Sequence, residues 1–249
     1  MIVNLEAVLF DFGNTLISIE LDWETVLPQN IESLTGYLKT RGIPAEADHF
    51  GKKFVENKSA WNQKGREEMH EYKTVDVLAK TLQEWGYPAL PPQELEEAVT
   101  AYFNPEESLY PVVEGCHEVL QELLNRGLKL GIVSNASSGK LIRDAMLHRG
   151  LDKYFQTIIV SADVGYRKPH PAIFRLAMQA LGTTAEKSVM VGDVPAYDVE
   201  GPQVLGMKSI LVSYIDSKEG KRFSSPAVPD GIASQFTEIP SLLEKLNHS

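Results

Sequence analysis

The sequence predicts an α/β protein: a doubly wound parallel sheet with an all-helical insert after its first strand. Three observations carry this. Short, continuously apolar runs alternate with helical stretches along most of the chain. The helical stretches between them stop on glycine, and the one from Pro171 to Gly182 shows the proline-to-glycine asymmetry that helix ends favour. Between residues 18 and about 108 the strand-like runs disappear and only helical periodicity remains.

Taken in order, EAVLFDF (6–12) is the first strand run, followed by LKLGIVS (128–134), TIIVS (157–161), SVMVG (188–192) and MKSILVS (207–213). Each is too short for a helix and apolar throughout, as in strands buried on both faces of a parallel sheet. Helical patterns over 115–126, 139–149 and 171–181 separate them, stopped by Gly127, Gly150 and Gly182. A β-α-β-α series of this kind indicates a doubly wound domain. The interruption reads as NIESLTGYLKTRG, DHFGKKFVENKSAW, YKTVDVLAKTLQEWG and PQELEEAVTAYF, four helices with turn signals between them. Residues 1–17 and 109–249 are therefore assigned to the sheet domain and 18–108 to the insert. DSKEGKRFSSPAVPDG is expected to be a surface loop, with IASQF and EIPSLLEKL as a last strand and helix.

Composition narrows the function classes. A chain of 249 residues with 43% hydrophobic and 23% charged content is ordinary for a globular protein. No apolar run approaches the length of a membrane span, and MIVNLEAVLF lacks the features of a secretory signal. Cys116 is the one cysteine, which excludes an intramolecular disulfide and a cysteine-based zinc cluster. A cytoplasmic location is expected. The net charge of −10 disfavours nucleic-acid and anionic-membrane partners. An anionic substrate needs a local metal ion or cations to overcome that field.

Ligands of a parallel sheet bind beyond the carboxyl ends of its strands. Polar residues stand at three such ends: Asp11 after VLF, Ser134-Asn135 after GIV, and Gly192-Asp193 after VMV. One such Asp is usually a turn or helix cap, but three on separate strands point to a site. Mg²⁺ takes one or two carboxylates together with substrate phosphate and water. Asp11 and Asp193 suit it, with Asp198 five residues further on. Lys168, in GYRKPHPAIF, stands before a helix start where Pro169 and Pro171 fix the backbone, and supplies a cation for phosphate.

The set Asp11-Phe12-Gly13-Asn14-Thr15-Leu16, Ser134 of IVSN, Lys168 of RKPHP and GDVPAYDVEG (192–201) resembles the four-motif signature of the haloacid dehalogenase-like (HAD) hydrolase superfamily. Order and spacing match from about residue 6 to 212. The resemblance implies a Rossmann-like core with a helical C1-type cap, and Mg²⁺-dependent action on a small phosphorylated molecule. By the same resemblance, Asp11 is the nucleophile that forms an aspartyl-phosphate, and Ser134 bonds the transferring phosphoryl group. Lys168 offsets charge, Asn135 and Thr15 contact substrate, and Asp193, Asp198, Asp11 and the Gly13 carbonyl belong to the metal site.

The departure is Gly13. The family's phosphatases carry a second Asp there, which protonates the leaving group and then activates water. Its loss removes roughly 10²–10⁴-fold of general acid–base catalysis. Four readings stay open. The chain is a phosphatase with proton transfer supplied elsewhere, Glu20 and Asp22 being the nearest acids in sequence. It is a 2-haloacid dehalogenase, although those lack the Gly-Asp pair retained at 192–193. It is a phosphonoacetaldehyde hydrolase using one of Lys39, Lys52, Lys53, Lys58 or Lys64. Or it is a binding module that has lost turnover. In the insert, the polar stretch NQKGREEMH (62–70) reads as an interhelix turn with Gly65 as a hinge, and Lys64 and Arg66 as cations near it. Trp23, Trp61 and Trp85 read as packing residues, and His170 as a residue shaping the Lys168 loop.

Overall fold

The computed structural model describes residues 4–247. Its centre is a sheet of six parallel strands, β1 (Ala7–Phe10), β2 (Lys129–Ser134), β3 (Thr157–Val160), β4 (Ser188–Gly192), β5 (Lys208–Val212) and β6 (Gly231–Ala233). Their order is β3-β2-β1-β4-β5-β6. The chain runs outward from β1 through β2 and β3, then returns to the other side of β1 with β4. That reversal opens a crevice at the carboxyl ends of β1 and β4. The register sets Phe10 level with Ile132 on one side and Val191 on the other.

Side-chain alternation along β1 explains why its run is apolar throughout. Val8 and Phe10 enter one cluster, with α5 (Cys116–Asn125), α6 (Gly139–His148) and α11 (Ile239–Asn247). Ala7 and Leu9 enter the other, against α8 (Pro171–Leu181). Phe10 is fully buried and stacks on Phe236, with an edge contact to Phe155. Cys116 lies buried in the same cluster, as a core residue.

Four helices follow β1 before α5: α1 (Trp23–Thr40), α2 (Lys52–Glu68), α3 (Thr74–Glu84) and α4 (Pro92–Glu107). They enclose their own apolar cluster, around Leu34, Phe50, Phe54, Leu78 and Tyr102. Trp61 packs edge-on against Tyr72, and Trp85 against Phe50. Buried polar contacts join these helices to the sheet. Arg167 donates to both oxygens of Glu71 at 2.9 and 2.7 Å, and Ser161 donates to Glu71 at 2.6 Å. Thr74 meets Ser137 through a 2.7 Å hydroxyl pair and a 2.9 Å backbone bond.

Two local expectations are corrected. Residues 62–68 are not an interhelix turn, because α2 continues through them to Glu68. Gly65 serves close packing: a Cβ there would lie 2.5 Å from the His70 carbonyl oxygen. Met69, left-handed at φ 52, ends the helix. The polar stretch after β5 is also more than a loop. It forms a one-turn helix, numbered α10 (Lys218–Arg222) after the short α7 (Ser161–Val164) and α9 (Gly201–Gln203), and Ser217 caps it by accepting from the Gly220 N–H at 2.9 Å.

Phe10→Ala leaves a cavity beneath three helices and is expected to cost about 3–5 kcal/mol of stability, read as a lower urea midpoint with an unchanged slope.

Candidate active site

Three strand ends and one loop converge in the crevice. The Asp11 N–H donates to the Val191 carbonyl at 2.9 Å, which extends the ladder one residue beyond β1 and aims the carboxylate out of the sheet. Asp193 follows β4 next door. Ser134 ends β2 and is buried. Asp198 comes from a π-helical turn, Pro195–Glu200, a geometry common at functional sites. Its Oδ2 accepts from the Val194 N–H at 3.0 Å, closing the turn on itself. Gly192 makes room for that closure, since a Cβ there would fall 2.3 Å from the Asp198 carboxyl carbon.

Lys168 crosses the crevice to bridge two of these acids. Its Nζ donates to Asp11 Oδ1 and to Asp198 Oδ1, both at 2.7 Å. The Lys168 side chain is 2% exposed and that of Asp198 0%, so solvent does not screen the interaction. Burial alone would lower the ammonium's pKa, but the two carboxylates outweigh it and hold the lysine above its usual value. Asn135 positions the loop. Its Oδ1 accepts from the Lys168 N–H at 2.7 Å and its Nδ2 donates to the Lys168 carbonyl at 3.0 Å. His170 caps α8 by accepting from the Ala172 N–H at 3.1 Å.

Asp11, Asp193 and Asp198 each offer an oxygen within 4.8 Å of the others. Three carboxylates against one ammonium leave the buried cluster short of positive charge. Burial pushes Asp193 up to about 8, with Asp11 and Asp198 adding to the effect. Burial likewise pushes Asp11 up to about 6, against the pull of Lys168. Asp193 Oδ2 is buried with no hydrogen-bond partner. An unpartnered carboxyl oxygen in a set of hard oxygen donors fits a divalent cation such as Mg²⁺, which would displace the proton.

The other expected residues fall differently. Gly13 faces the crevice, and a Cβ there would meet Ile19 Cδ1 at 3.0 Å. The space of a side chain at position 13 thus adjoins an apolar one. Asn14 is left-handed at φ 55, and its side chain ties the turn to the Ile19 N–H at 3.1 Å and to Glu20 at 3.1 Å. Asn135, expected to contact substrate, borders the crevice but commits its amide to Lys168. Thr15 is fully buried with an unpartnered hydroxyl, and it is absent from the crevice lining. Glu20 is held by Asn14 and by Lys218, and Asp22 caps α1. Lys39, Lys52, Lys53 and Lys64 pair with Glu46, Asp48, Glu56 and Glu68 on the surface. Lys58 alone of those five lines the cavity beside the crevice.

Sequence reading missed Glu219 and Ile19. Glu219, from α10, borders both the crevice of about 50 Å³ and the adjoining cavity of about 200 Å³ between insert and sheet. No motif surrounds it; its place depends on the return of the chain after β5.

This chain belongs to the haloacid dehalogenase-like hydrolase family, whose model matches residues 8–212. It is a hydrolase. Among curated relatives, phosphoserine phosphatase of Thermus thermophilus is 32% identical over 149 residues, 59% of this chain and 57% of the relative. Pyrophosphatase PpaX of Bacillus cereus is 29% identical over 187 residues, covering 72% of this chain and 84% of the relative. The fold is shared with a 2-haloacid dehalogenase from Pseudomonas syringae, at TM-score 0.69 and 22% identity over 97% of this chain and 99% of that one. It is shared also with a HAD phosphatase from Thermococcus onnurineus, at TM-score 0.63 and 23% identity over 96% and 98% of the two chains.

Lys168→Met removes the cation between two buried carboxylates. Unfolding in urea at pH 8 is expected to show a loss of about 3–5 kcal/mol.

Proposed function

We propose that this chain is a Mg²⁺-dependent phosphomonoester hydrolase in which Asp11 is the nucleophile and the four-helix insert acts as the cap over its site. The observation that carries this is the unpartnered Asp193 oxygen beside Asp11, which asks for a cation. Halide departure from carbon would give that oxygen no task, so it favours phosphorus over carbon as the centre attacked. The names of the two curated relatives, a phosphoserine phosphatase and a pyrophosphatase, support the same reading.

Asp11, Asp193, Asp198 and the Gly13 carbonyl are the groups assigned to hold the metal. Bound there, Mg²⁺ supplies Lewis-acid stabilisation of charge on the transferring phosphoryl group. Asp11 attacks phosphorus as the bond to the leaving oxygen breaks, and water then attacks the phosphorus of the aspartyl-phosphate to release phosphate. Lys168 holds the Asp11 carboxylate in place and offsets the charge gathering beside it. Ser134, at the rim of the same crevice, is assigned to donate a hydrogen bond to the phosphoryl oxygens. Thr15 has no such role, being outside the lining.

No acid at position 13 protonates the leaving group, and a Cβ there would already meet Ile19 Cδ1 at 3.0 Å. Glu219 is the exposed carboxylate bordering the crevice, and we assign proton transfer to it. Leaving groups that depart with little protonation, such as acyl and aryl phosphates, depend least on Glu219.

Pre-steady-state hydrolysis of p-nitrophenyl phosphate with Mg²⁺ tests the assignment. Turnover by wild type and none by Asp11→Asn is the expected result. Glu219→Gln should slow alkyl phosphates by roughly 10²-fold or more, with a smaller effect on the aryl ester. Release by Asp11→Asn at the wild-type rate, or none by wild type, contradicts the proposal.

The pH dependence follows from the raised carboxyl groups. Asp193 at about 8 and Asp11 at about 6 lie above their ordinary value, so without metal the folded state binds more protons than the unfolded one in that range. Metal-free stability therefore falls as pH rises from about 4 to 8. Mg²⁺ competes with those protons, so its stabilisation grows over the same interval. The rise in melting temperature on adding saturating Mg²⁺ is expected to be about 5 °C larger at pH 8.5 than at pH 5.5. An equal rise at both pH values contradicts metal binding by these carboxylates.

A further inference from the structure

The cavity beside the crevice holds a cation that nothing so far uses. Lys58, on α2, lines it. Its ammonium makes no ion pair or hydrogen bond among the described residues. It lies over the rings of Tyr102 and Phe103, 5.6 and 5.4 Å from their centroids. The two nearby carboxylates are committed elsewhere. Glu106 accepts from Asn30 at 2.6 Å and from Tyr110 at 2.8 Å. Glu71 accepts from Arg167 and Ser161. Burial accordingly holds the Lys58 pKa below its usual value, with Glu106 and Glu71 opposing only in part.

Lys58 is half-buried against the cap's aromatic cluster, and an ammonium held there without a hydrogen-bonding anion is incompletely satisfied. The four other insert lysines considered above pair on the surface with Glu or Asp, so the position of Lys58 is unlike theirs. Its surroundings describe what would satisfy it. The cavity, about 200 Å³, shares Gly13, Ser134 and Glu219 with the crevice, so one molecule can reach both. Between the two ends the walls include Ile17, Ile19, Val77, Phe103, Leu141 and Ile142. Asn62, one turn along α2 from Lys58, adds an amide to the same lining. Arg167 also borders the cavity, but Glu71 already balances its charge. Glu219 stands where the cavity meets the crevice, so Lys58, which lines the cavity but not the crevice, is the cation left without an anion at its own end and matches one carboxylate there.

We infer that Lys58 is the specificity residue for a carboxylate on the far end of the substrate, making the substrate class a small phosphorylated carboxylic acid with a short apolar middle. This rests on the reading of the crevice as a phosphate site. The cavity's volume of about 200 Å³ lies below the usual range for drug-sized ligands and favours a small substrate.

Calorimetric titration in Mg²⁺ tests this with non-hydrolysable probes: a short ω-phosphonocarboxylate against the n-alkylphosphonate of the same length. Wild type is expected to prefer the carboxylate probe by at least ~10-fold, or about 1.4 kcal/mol. In Lys58→Met that ratio should fall to within about twofold of unity, and in Lys58→Arg, which keeps the charge, much of it should persist. The melting temperature of Lys58→Met should be no lower than that of wild type, since no ion pair is lost, which separates recognition from folding. A wild-type ratio near unity, or a ratio unchanged in Lys58→Met, overturns the inference. So does a stronger preference for the matching bisphosphonate, which would assign a second phosphate instead. Turnover of p-nitrophenyl phosphate by the same wild-type preparation reports the phosphatase reading separately. Turnover without carboxylate preference discards the role of Lys58 alone, and failure to bind either phosphonate discards both.

Discussion

Everything in the crevice is arranged around one buried ammonium. Lys168 draws Asp11, from the end of β1, and Asp198, from the turn after β4, onto a single Nζ. Out of water, that interaction is strong only because both acids are already in place, and each is held by a separate backbone device. Asp11 is fixed by its ladder bond to Val191, Asp198 by the Val194 N–H, and Lys168 by the Asn135 clamp. The sheet thus provides orientation before any ligand arrives, the kind of preorganisation that electrostatic catalysis requires. The remaining carboxylate, Asp193, is what the lysine does not satisfy. Its unpartnered oxygen is what makes an internal ion-pair network a candidate cation site.

The same crevice shows what a glycine at position 13 changes. A carboxylate there would stand against Ile19, and the segment carrying Ile19 is tied down by Asn14 and, through Glu20, by Lys218 of α10. The surroundings have therefore closed in on the space of the absent side chain. Restoring an acid at position 13 would require Ile19 to move. The crevice wall becomes apolar on that side, and the exposed carboxylate that borders the crevice, Glu219, comes from α10, a short helix positioned late in the chain.

Much of this was legible in sequence, for physical reasons that differ by element. Runs such as KLGIVS and SVMVG are apolar because both sheet faces are covered, and this made the strands and their carboxyl ends readable. Asp11, Ser134, Lys168 and Asp193 were readable because they follow strands or precede a helix. The roles of Asn135 and Thr15 were not, because they depend on where a side chain points: one into the Lys168 backbone, the other into the protein. Glu219, Ile19 and Lys58 carry no local signature. They reach the site through the insert and the segment after β5, and pairings between distant segments leave no mark in a short motif. Gly65 shows the converse error, since a glycine in a polar stretch suggests a hinge where the structure uses it for close approach.

The central claim is that Asp11, held by Lys168, takes the phosphoryl group itself. Rapid acid quench after mixing enzyme, Mg²⁺ and an aryl phosphate, followed by peptide mapping, tests this most directly. The account predicts an acid-stable, base-labile phosphoryl group on the peptide containing Asp11, formed and lost at rates compatible with turnover. A phosphoryl group on another residue, or steady turnover with none detectable on Asp11 at any quench time, would contradict it.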